Sequence, residues 1–189
     1  KVVMKFGVGQ TVKRIEDGNL LIGKGKYTDD HMPGYGLAVA FLRSPFAHAQ
    51  LTHLDMSTAR RSEGIHLVAG QAEMDADNVG EIHCQQYVEN RDGSQIPRTT
   101  KPAMARDIIR HAGDIVAMVV ADTRQQALDA IELIDVDYAP MDAVCDVYEA
   151  VAPDAPQLYE CYPRNTVFTW EAGTIDKARS AIDAALAEG

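Results

Sequence analysis

Apolar and polar positions change period several times along the 189-residue chain, and each change predicts an element. Residues 37–42 are apolar at odd and even positions alike, which predicts a strand buried on both faces. Ser44-Pro45 is a turn signal, and residues 47–55 resume as a strand. Residues 57–61 predict a short helix ended by Gly64, where glycine closes a left-handed cap without steric cost. Residues 65–69 read as another short strand. The cleanest pattern lies further on. Ile115–Ala121 is a continuous apolar run of strand length. Thr123-Arg124-Gln125-Gln126 has the form of a capping box, in which the Thr hydroxyl takes one orphan N–H and the Gln reaches back to another. Ala127, Ala130, Ile131 and Ile134 then recur at helical spacing, and residues 134–138 alternate as a strand. This series predicts one β-α-β unit, with Ile115–Ala121 and 134–138 parallel and the crossover right-handed.

The flanks are less regular. Residues 1–36 carry Gly7, Gly9, Gly18, Gly23, Gly25, Gly34 and Gly36, and read as an extended arm with a short helical piece around 13–17. Residues 70–105 show no period and contain Asp92-Gly93-Ser94, Pro97 and Pro102. A loop that long serves to bind a partner, cover a ligand or stay disordered. Residues 144–151 read as a short strand-to-helix stretch ended by Pro153 and Pro156. Thr174 is placed to cap a last helix with Ile175, Ala178, Ile182, Ala185 and Leu186 on one face. About 14 residues is marginal for an isolated helix. It is therefore expected to dock on another copy, or on a surface of its own domain normally covered by downstream sequence, the alternative being a frayed tail. The fold class is α+β, with a small mixed sheet.

Composition narrows the picture. The hydrophobic fraction of 46% and charged fraction of 24% are those of a globular domain. Eighteen basic against 28 acidic residues give a net charge of −10, which disfavours nucleic acid and anionic lipid as partners. No apolar run approaches the ~20 residues that span a bilayer, and residues 1–7 are too short for a signal-peptide core. Cys84, Cys145 and Cys161 are odd in number and scattered, which fits a reducing cytoplasm and offers no zinc or iron–sulfur ligand set.

Candidate chemistry is thin. Gly7-Val8-Gly9 and Gly23-Lys24-Gly25-Lys26 lack the strand–turn–helix setting of a phosphate loop, so they read as turn glycines. His48 and His53 fall on opposite faces of one strand. His83 beside Cys84, and the run Asp29-Asp30-His31, do not complete a metal tetrahedron. Ser44 and His48 are close in sequence, but nothing brings them to hydrogen-bond reach. Asp135 and Asp137 share a strand face that reads as solvated. No catalytic, cofactor-binding or metal residue is assigned within 1–189.

The ordered set of segments says more. Val12-Lys13-Arg14-Ile15-Glu16-Asp17 with Leu20-Leu21-Ile22-Gly23-Lys24-Gly25-Lys26-Tyr27-Thr28-Asp29-Asp30 resembles the opening of the molybdenum-binding large subunit of the xanthine dehydrogenase/aldehyde oxidase family. Phe41-Leu42-Arg43-Ser44-Pro45-Phe46-Ala47-His48-Ala49 is similar to that family's Arg-Ser-Pro-(His)-Ala-His-Ala segment, with Phe46 in place of the commoner His. Residues 113–123 and then 127–138 resemble its β-α-β stretch. The likeness is strongest to the branch of bacterial carbon monoxide dehydrogenase large subunits.

The resemblance implies an α/β-hammerhead domain over 1–165, with 166–189 opening a downstream molybdopterin-binding domain. It implies a molybdenum hydroxylase in which [2Fe-2S] clusters and FAD sit on partner subunits or domains. The cofactor-contacting segments and catalytic glutamate of that family have no matching position here. The implied task of this domain is structural: packing on the cofactor domains and helping to seat the iron–sulfur partner. A domain of this kind is expected to expose apolar surface and to self-associate when alone. Two other classes remain open from the residues: a free-standing binding or adaptor domain, and a small hydrolase using His48 or Asp135 with Asp137. Fold alone does not decide among them.

Overall fold

Hydrogen bonding between strands sorts the expected elements into sheets that their periods do not reveal. The computed structural model describes residues 13–31, 34–83, 85, 88–97 and 99–188. The chain divides into two units, Lys1–Gly36 and Leu37–Gly189.

In the first unit, helix α1 (Asp17–Leu21) begins a turn later than the piece expected at 13–17. The Asp17 carboxylate accepts from the Arg14 N–H, and the Asp17 N–H donates to the Arg14 carbonyl, which closes a turn before the helix. At its other end Gly23 takes φ 71°. That left-handed residue lets the Lys24 N–H return to the Asn19 carbonyl at 2.8 Å.

The second unit runs β1 (Ala38–Arg43), β2 (Ala49–Asp55), α2 (Ser57–Arg60), β3 (Ile65–Gly70), α3 (Gln71–Ala76), β4 (Ile82–His83) and β5 (Thr100–Lys101). It continues with β6 (Ile108–Ile109), β7 (Ile115–Ala121), α4 (Arg124–Glu132), β8 (Asp135–Pro140) and α5 (Ile175–Glu188). One sheet has the order β1-β7-β3, a second β6-β2-β8, and β4 pairs with β5. Every pairing among the described strands is antiparallel.

The helix expected between two strands is present, but the strands do not pair with each other. β7 has both edges filled, by β1 and β3, so it has no edge left for β8. β8 instead pairs with β2, from Ala49↔Pro140 to Asp55↔Asp135. The parallel crossover in a mixed sheet is therefore corrected to a strand, a helix and a strand that link two antiparallel sheets. The capping geometry differs slightly too. The Thr123 Oγ1 accepts from the Gln126 N–H at 3.2 Å as expected, but the Gln126 side chain accepts from that same hydroxyl rather than from the backbone.

Two further readings are corrected. Residues 70–105 are not without structure: α3 forms because the Glu73 carboxylate accepts from the Gly70 N–H at 2.9 Å, closing the first turn from inside. Residues 144–151 form no strand. The Asp146 carboxylate accepts from the N–H groups of Tyr148 and Glu149, which bends the chain into a short helical turn at Glu149–Val151.

Two cores result. The first lies between one face of the β1-β7-β3 sheet and helices α2 and α4, and gathers Ala40, Val68, Ala117, Val119 and Ala121 against Ala59, Ala127 and Ala130. Alanine on the inner face of α4 lets the helix backbone approach the strands closely. The second joins Ala49, Ala105, Ile109 and Val116, with Leu51, Val136 and Tyr138 packed around them. The segment after β8 is tied in by Asn165. Its side chain donates to the carbonyls of Ala150 and Pro156 and accepts from the Leu158 N–H, which holds it at φ 51°. Tyr162 is buried and donates to the Pro97 carbonyl at 2.8 Å.

Candidate functional site

The residues with candidate chemistry do not converge. Ser44 turns back on its own loop, accepting from the Phe46 N–H and donating to the Phe46 carbonyl. His48 is buried, and its Nδ1 lies 2.7 Å from the Asp142 carbonyl, so no Ser44–His48 pair forms. His53 is exposed, 3.7 Å from Asp135. Asp135 and Asp137 both face solvent on the outer edge of β8. Asp30 caps its own turn by accepting from the Tyr27 N–H. Gly7, Gly9 and Cys84 lie outside the described residues, and Cys145 and Cys161 are free and exposed. Among the described residues no three His, Cys, Asp or Glu side chains come together as a metal would need.

A charged cleft of about 450 Å³ runs between β2, α3 and residues 105–107. Two ion-paired arginines cross it, while Asp55 and Asp107 line it without an ion-pair partner among the described residues. Arg60 pairs with Glu73 and donates to the Val68 carbonyl, and Arg106 pairs with Asp75 and Glu81. Burial pushes the Glu73 carboxyl up, but the Gly70 N–H and Arg60 outweigh it and hold its pKa below the ordinary value. Arg106 and Gln71 hold Asp75 low in the same way. These pairs bind α3 and the 104–107 segment to the sheets. Gln71 completes the network by accepting from the Met104 N–H at 2.9 Å.

The surface that stands out is apolar. Cross-strand register puts Val39, Val120 and Leu67 in one row, and Phe41, Met118 and Ala69 in the next. These rows form the face of the β1-β7-β3 sheet opposite α4. The double burial expected for residues 37–42 is thus half right. Ala40 is buried, but Val39, Phe41 and Leu67 remain 49, 43 and 44% exposed. Val116, on the same face of β7, is covered by the second core. Ala69 is buried as well, and Met118 and Val120 are half-buried, so the exposed part is carried by Val39, Phe41 and Leu67. Its rim carries charge that is already engaged. The Arg43 guanidinium lies 5.6 Å from the Phe41 ring and donates to the Gly113 carbonyl, and His66 lies 2.7 Å from Asp122. Sequence pattern missed this face because it registers apolar residues and not what lies over them.

A second uncovered apolar stripe is carried by α5. The helix forms as expected, but Ile175, Ile182 and Leu186 are exposed and do not dock on the other described residues. The chain leading to it is fixed. Residues 89–95 form a tight hairpin, whose Arg91 N–H donates to the Thr169 carbonyl at 2.7 Å. Asn90 accepts from the Thr169 N–H, and Arg91 pairs with Glu171 at 2.6 Å. No described helix is long and apolar enough to cross a membrane.

Comparison with known proteins gives this architecture a context. Residues 22–142 match the family model described as aldehyde oxidase and xanthine dehydrogenase, a/b hammerhead domain. The nicotine 6-hydroxylase large subunit of Paenarthrobacter nicotinovorans is 35% identical over 144 residues, covering 76% of this chain and 17% of its own length. The Cu,Mo-CO dehydrogenase structure in its carbon monoxide reduced state superposes with a TM-score of 0.58 at 34% identity, covering 79% of this chain and 18% of that one. Quinoline 2-oxidoreductase from Pseudomonas putida 86 gives 0.64 at 37% identity, covering 80% and 19%. The chain spans less than a fifth of the length of these proteins.

Proposed function

Since the chain belongs to the aldehyde oxidase and xanthine dehydrogenase a/b hammerhead family, we propose that it is the N-terminal structural domain of a molybdenum hydroxylase large subunit. In this reading residues 1–165 are the hammerhead domain, and 166–189 open the downstream molybdopterin-binding domain. The intact enzyme uses a molybdenum cofactor, with [2Fe-2S] clusters and FAD on partner subunits or domains, and works in the cytoplasm. Two similar proteins carry parts of this reading in their names, one a hydroxylase large subunit and the other a Cu,Mo enzyme.

The observation that carries it is the open face of the β1-β7-β3 sheet. A domain built to act alone buries such a face or rims it as a pocket. Here it is apolar across Val39, Phe41 and Leu67, with the Arg43 guanidinium over the Phe41 ring. The described residues offer no donor set for a metal, so no step of the chemistry is drawn through this chain. Its work is to present packing surface and to aim the chain into the next domain.

Metal analysis and turnover assays on the purified 189-residue chain, beside the full-length subunit, test the proposal. The short chain is expected to hold neither molybdenum nor iron at stoichiometric level and to turn over nothing. One tightly held metal per chain, or turnover, overturns the structural reading. An open reading frame that stops after Gly189 overturns the subunit reading in favour of a free-standing binding domain.

A further inference from the structure

The chain holds two Asp-Gly pairs, Asp17-Gly18 and Asp92-Gly93. At such a pair the side-chain carboxyl can cyclise onto the next backbone nitrogen, because glycine has no Cβ to crowd the approach. The sequence alone does not distinguish the two. From their hydrogen bonding we infer that Asp17-Gly18, and not Asp92-Gly93, is the site of spontaneous isoaspartate formation in the native chain.

The step needs no co-reactant but water. The glycine nitrogen attacks Cγ of the preceding Asp and a C–N bond forms. The amide proton leaves with the hydroxyl of the protonated carboxyl as one water. Water then reopens the five-membered imide. Opening at the former backbone carbonyl routes the chain through the side-chain carbon, so the product keeps the original mass and has one extra methylene in its backbone. The imide nitrogen carries no hydrogen. Any hydrogen bond that the glycine N–H donates must therefore be given up before the ring can close.

That requirement separates the two sites. The Gly93 N–H donates to the Asn90 carbonyl at 2.8 Å, inside a turn closed by the Asn90 N–H on the Ser94 carbonyl and by the Glu89–Gln95 bridge. The turn is also anchored from outside, by the Arg91 N–H on the Thr169 carbonyl and by the Arg91–Glu171 pair. Cyclisation at Asp92 has to break this hairpin. The Gly18 N–H donates to nothing among the described residues. It belongs to the first turn of α1, whose N–H groups have no partner within the helix, and Glu16 before the helix supplies no side-chain cap. Acylating that nitrogen costs no hydrogen bond.

Local opening favours the same site. Helix α1 has five residues and none of them is buried, and Ile15 and Leu21 are exposed. An element with so few buried contacts opens at little cost, which frees Asp17 to leave helical geometry and bring Cγ to the nitrogen. The carboxylates do not reverse the order. Asp17 accepts from the Arg14 N–H and pairs with its exposed guanidinium, and Asp92 accepts from the Ser94 N–H at 2.9 Å, so each site gives up exposed contacts. Isoaspartate at 17 shifts the carboxylate along the backbone and undoes the Arg14–Asp17 turn that starts α1.

Controlled ageing tests the assignment. The native full chain is held at physiological temperature and neutral pH, beside a sample of the same chain in concentrated guanidinium. Peptide mapping, with backbone fragmentation that distinguishes isoaspartate from aspartate, scores positions 17 and 92 over time. In the native sample isoaspartate is expected to build up at 17 on the order of tenfold faster than at 92, and in guanidinium the two rates are expected to converge to within about a factor of two. Equal or faster conversion at 92 in the native sample overturns the assignment. So does a preference for 17 that persists unchanged in guanidinium, because its cause then lies in the flanking residues and not in the fold. Absence of isoaspartate at 17 in the native sample, once both positions have converted in guanidinium, overturns it as well.

Discussion

Ile109→Ala probes whether the second core holds the unit together. Ile109 is fully buried, on a strand of two residues, and its buried neighbours are Ala49, Ala105 and Val116. Removing a buried Ile side chain down to Ala costs about 2–5 kcal/mol, and the cost rises as the site fails to collapse. Here the closest buried neighbours include two alanines, which have no side chain to swing into the gap. The loss is therefore placed in the middle to upper part of that range, at roughly 3–4 kcal/mol. Ile109→Val removes one methylene and should cost roughly 1 kcal/mol. At this chain length each kcal/mol moves the melting temperature by about 2–4 °C, so Ile109→Ala should melt roughly 6–16 °C lower. Urea unfolding followed by far-UV circular dichroism is the assay. Trp170 is exposed on the linker to α5, so its fluorescence is a poor reporter of this core. Leu186→Ala is the control: Leu186 is 76% exposed, and the change should stay within about 0.5 kcal/mol. A loss below about 1 kcal/mol for Ile109→Ala, or an equal loss for the Val and Ala variants, would refute the packing argument.

Other sites give sharp expectations. The Tyr138 hydroxyl is buried and makes no hydrogen bond of good geometry among the described residues; burial pushes its phenol pKa up, with the Ser44 hydroxyl a weaker opposing influence. Tyr138→Phe should therefore leave the melting temperature unchanged or raise it, and a marked fall would reveal a partner for the hydroxyl. Gly64 sits at φ 76° with the Gln126 amide where a Cβ would go. Gly64→Ala should destabilise by roughly 1–2 kcal/mol in chemical denaturation, and a neutral result would mean the loop relaxes freely. Glu73 titrates below its unfolded value of 4.5. Its contribution to stability is complete above that pH and is lost as pH falls through the lower folded value. Glu73→Gln should flatten the acid limb of the stability–pH curve, and an unchanged limb would assign the acid sensitivity elsewhere.

Most elements of the second unit were legible because each carries its own local signal. The alternation in residues 134–138, the unbroken apolar run of Ile115–Ala121 and the Thr123 cap each need only a few neighbouring residues to be read. Pairing is different. β7 and β8 are consecutive strands joined by a helix, and local pattern favours putting them side by side. The partners that displaced β8 from β7 come from residues 38–43 and 65–70, and no local period records that competition. Helix α3 was missed because its cap is Gly70 with Glu73, not one of the usual Ser, Thr, Asp or Asn caps. The Gly-x-x-Glu spacing was the available signal. The structure turns Ser44 onto its own loop, sets His48 against the Asp142 carbonyl and leaves Asp135 and Asp137 exposed, placements that spacing along the sequence does not record. The open face was not legible, since exposure is a property of what packs above a strand.

The central place of β7 also governs the order in which the domain can be made. Its neighbours are synthesised well before it: Ala38 waits 83 positions for Ala121, and Gly70 waits 47 for Ala117. Until residue 121 has left the ribosome, β1 and β3 have no strand to pair with, and Val39, Phe41 and Leu67 sit on loose, β-prone chain. Such long-range closure is slow and leaves nascent polypeptide open to aggregation. A pause in translation just before Ile115 should therefore send more of this polypeptide to chaperones than a pause of equal length just after Ala121 has emerged.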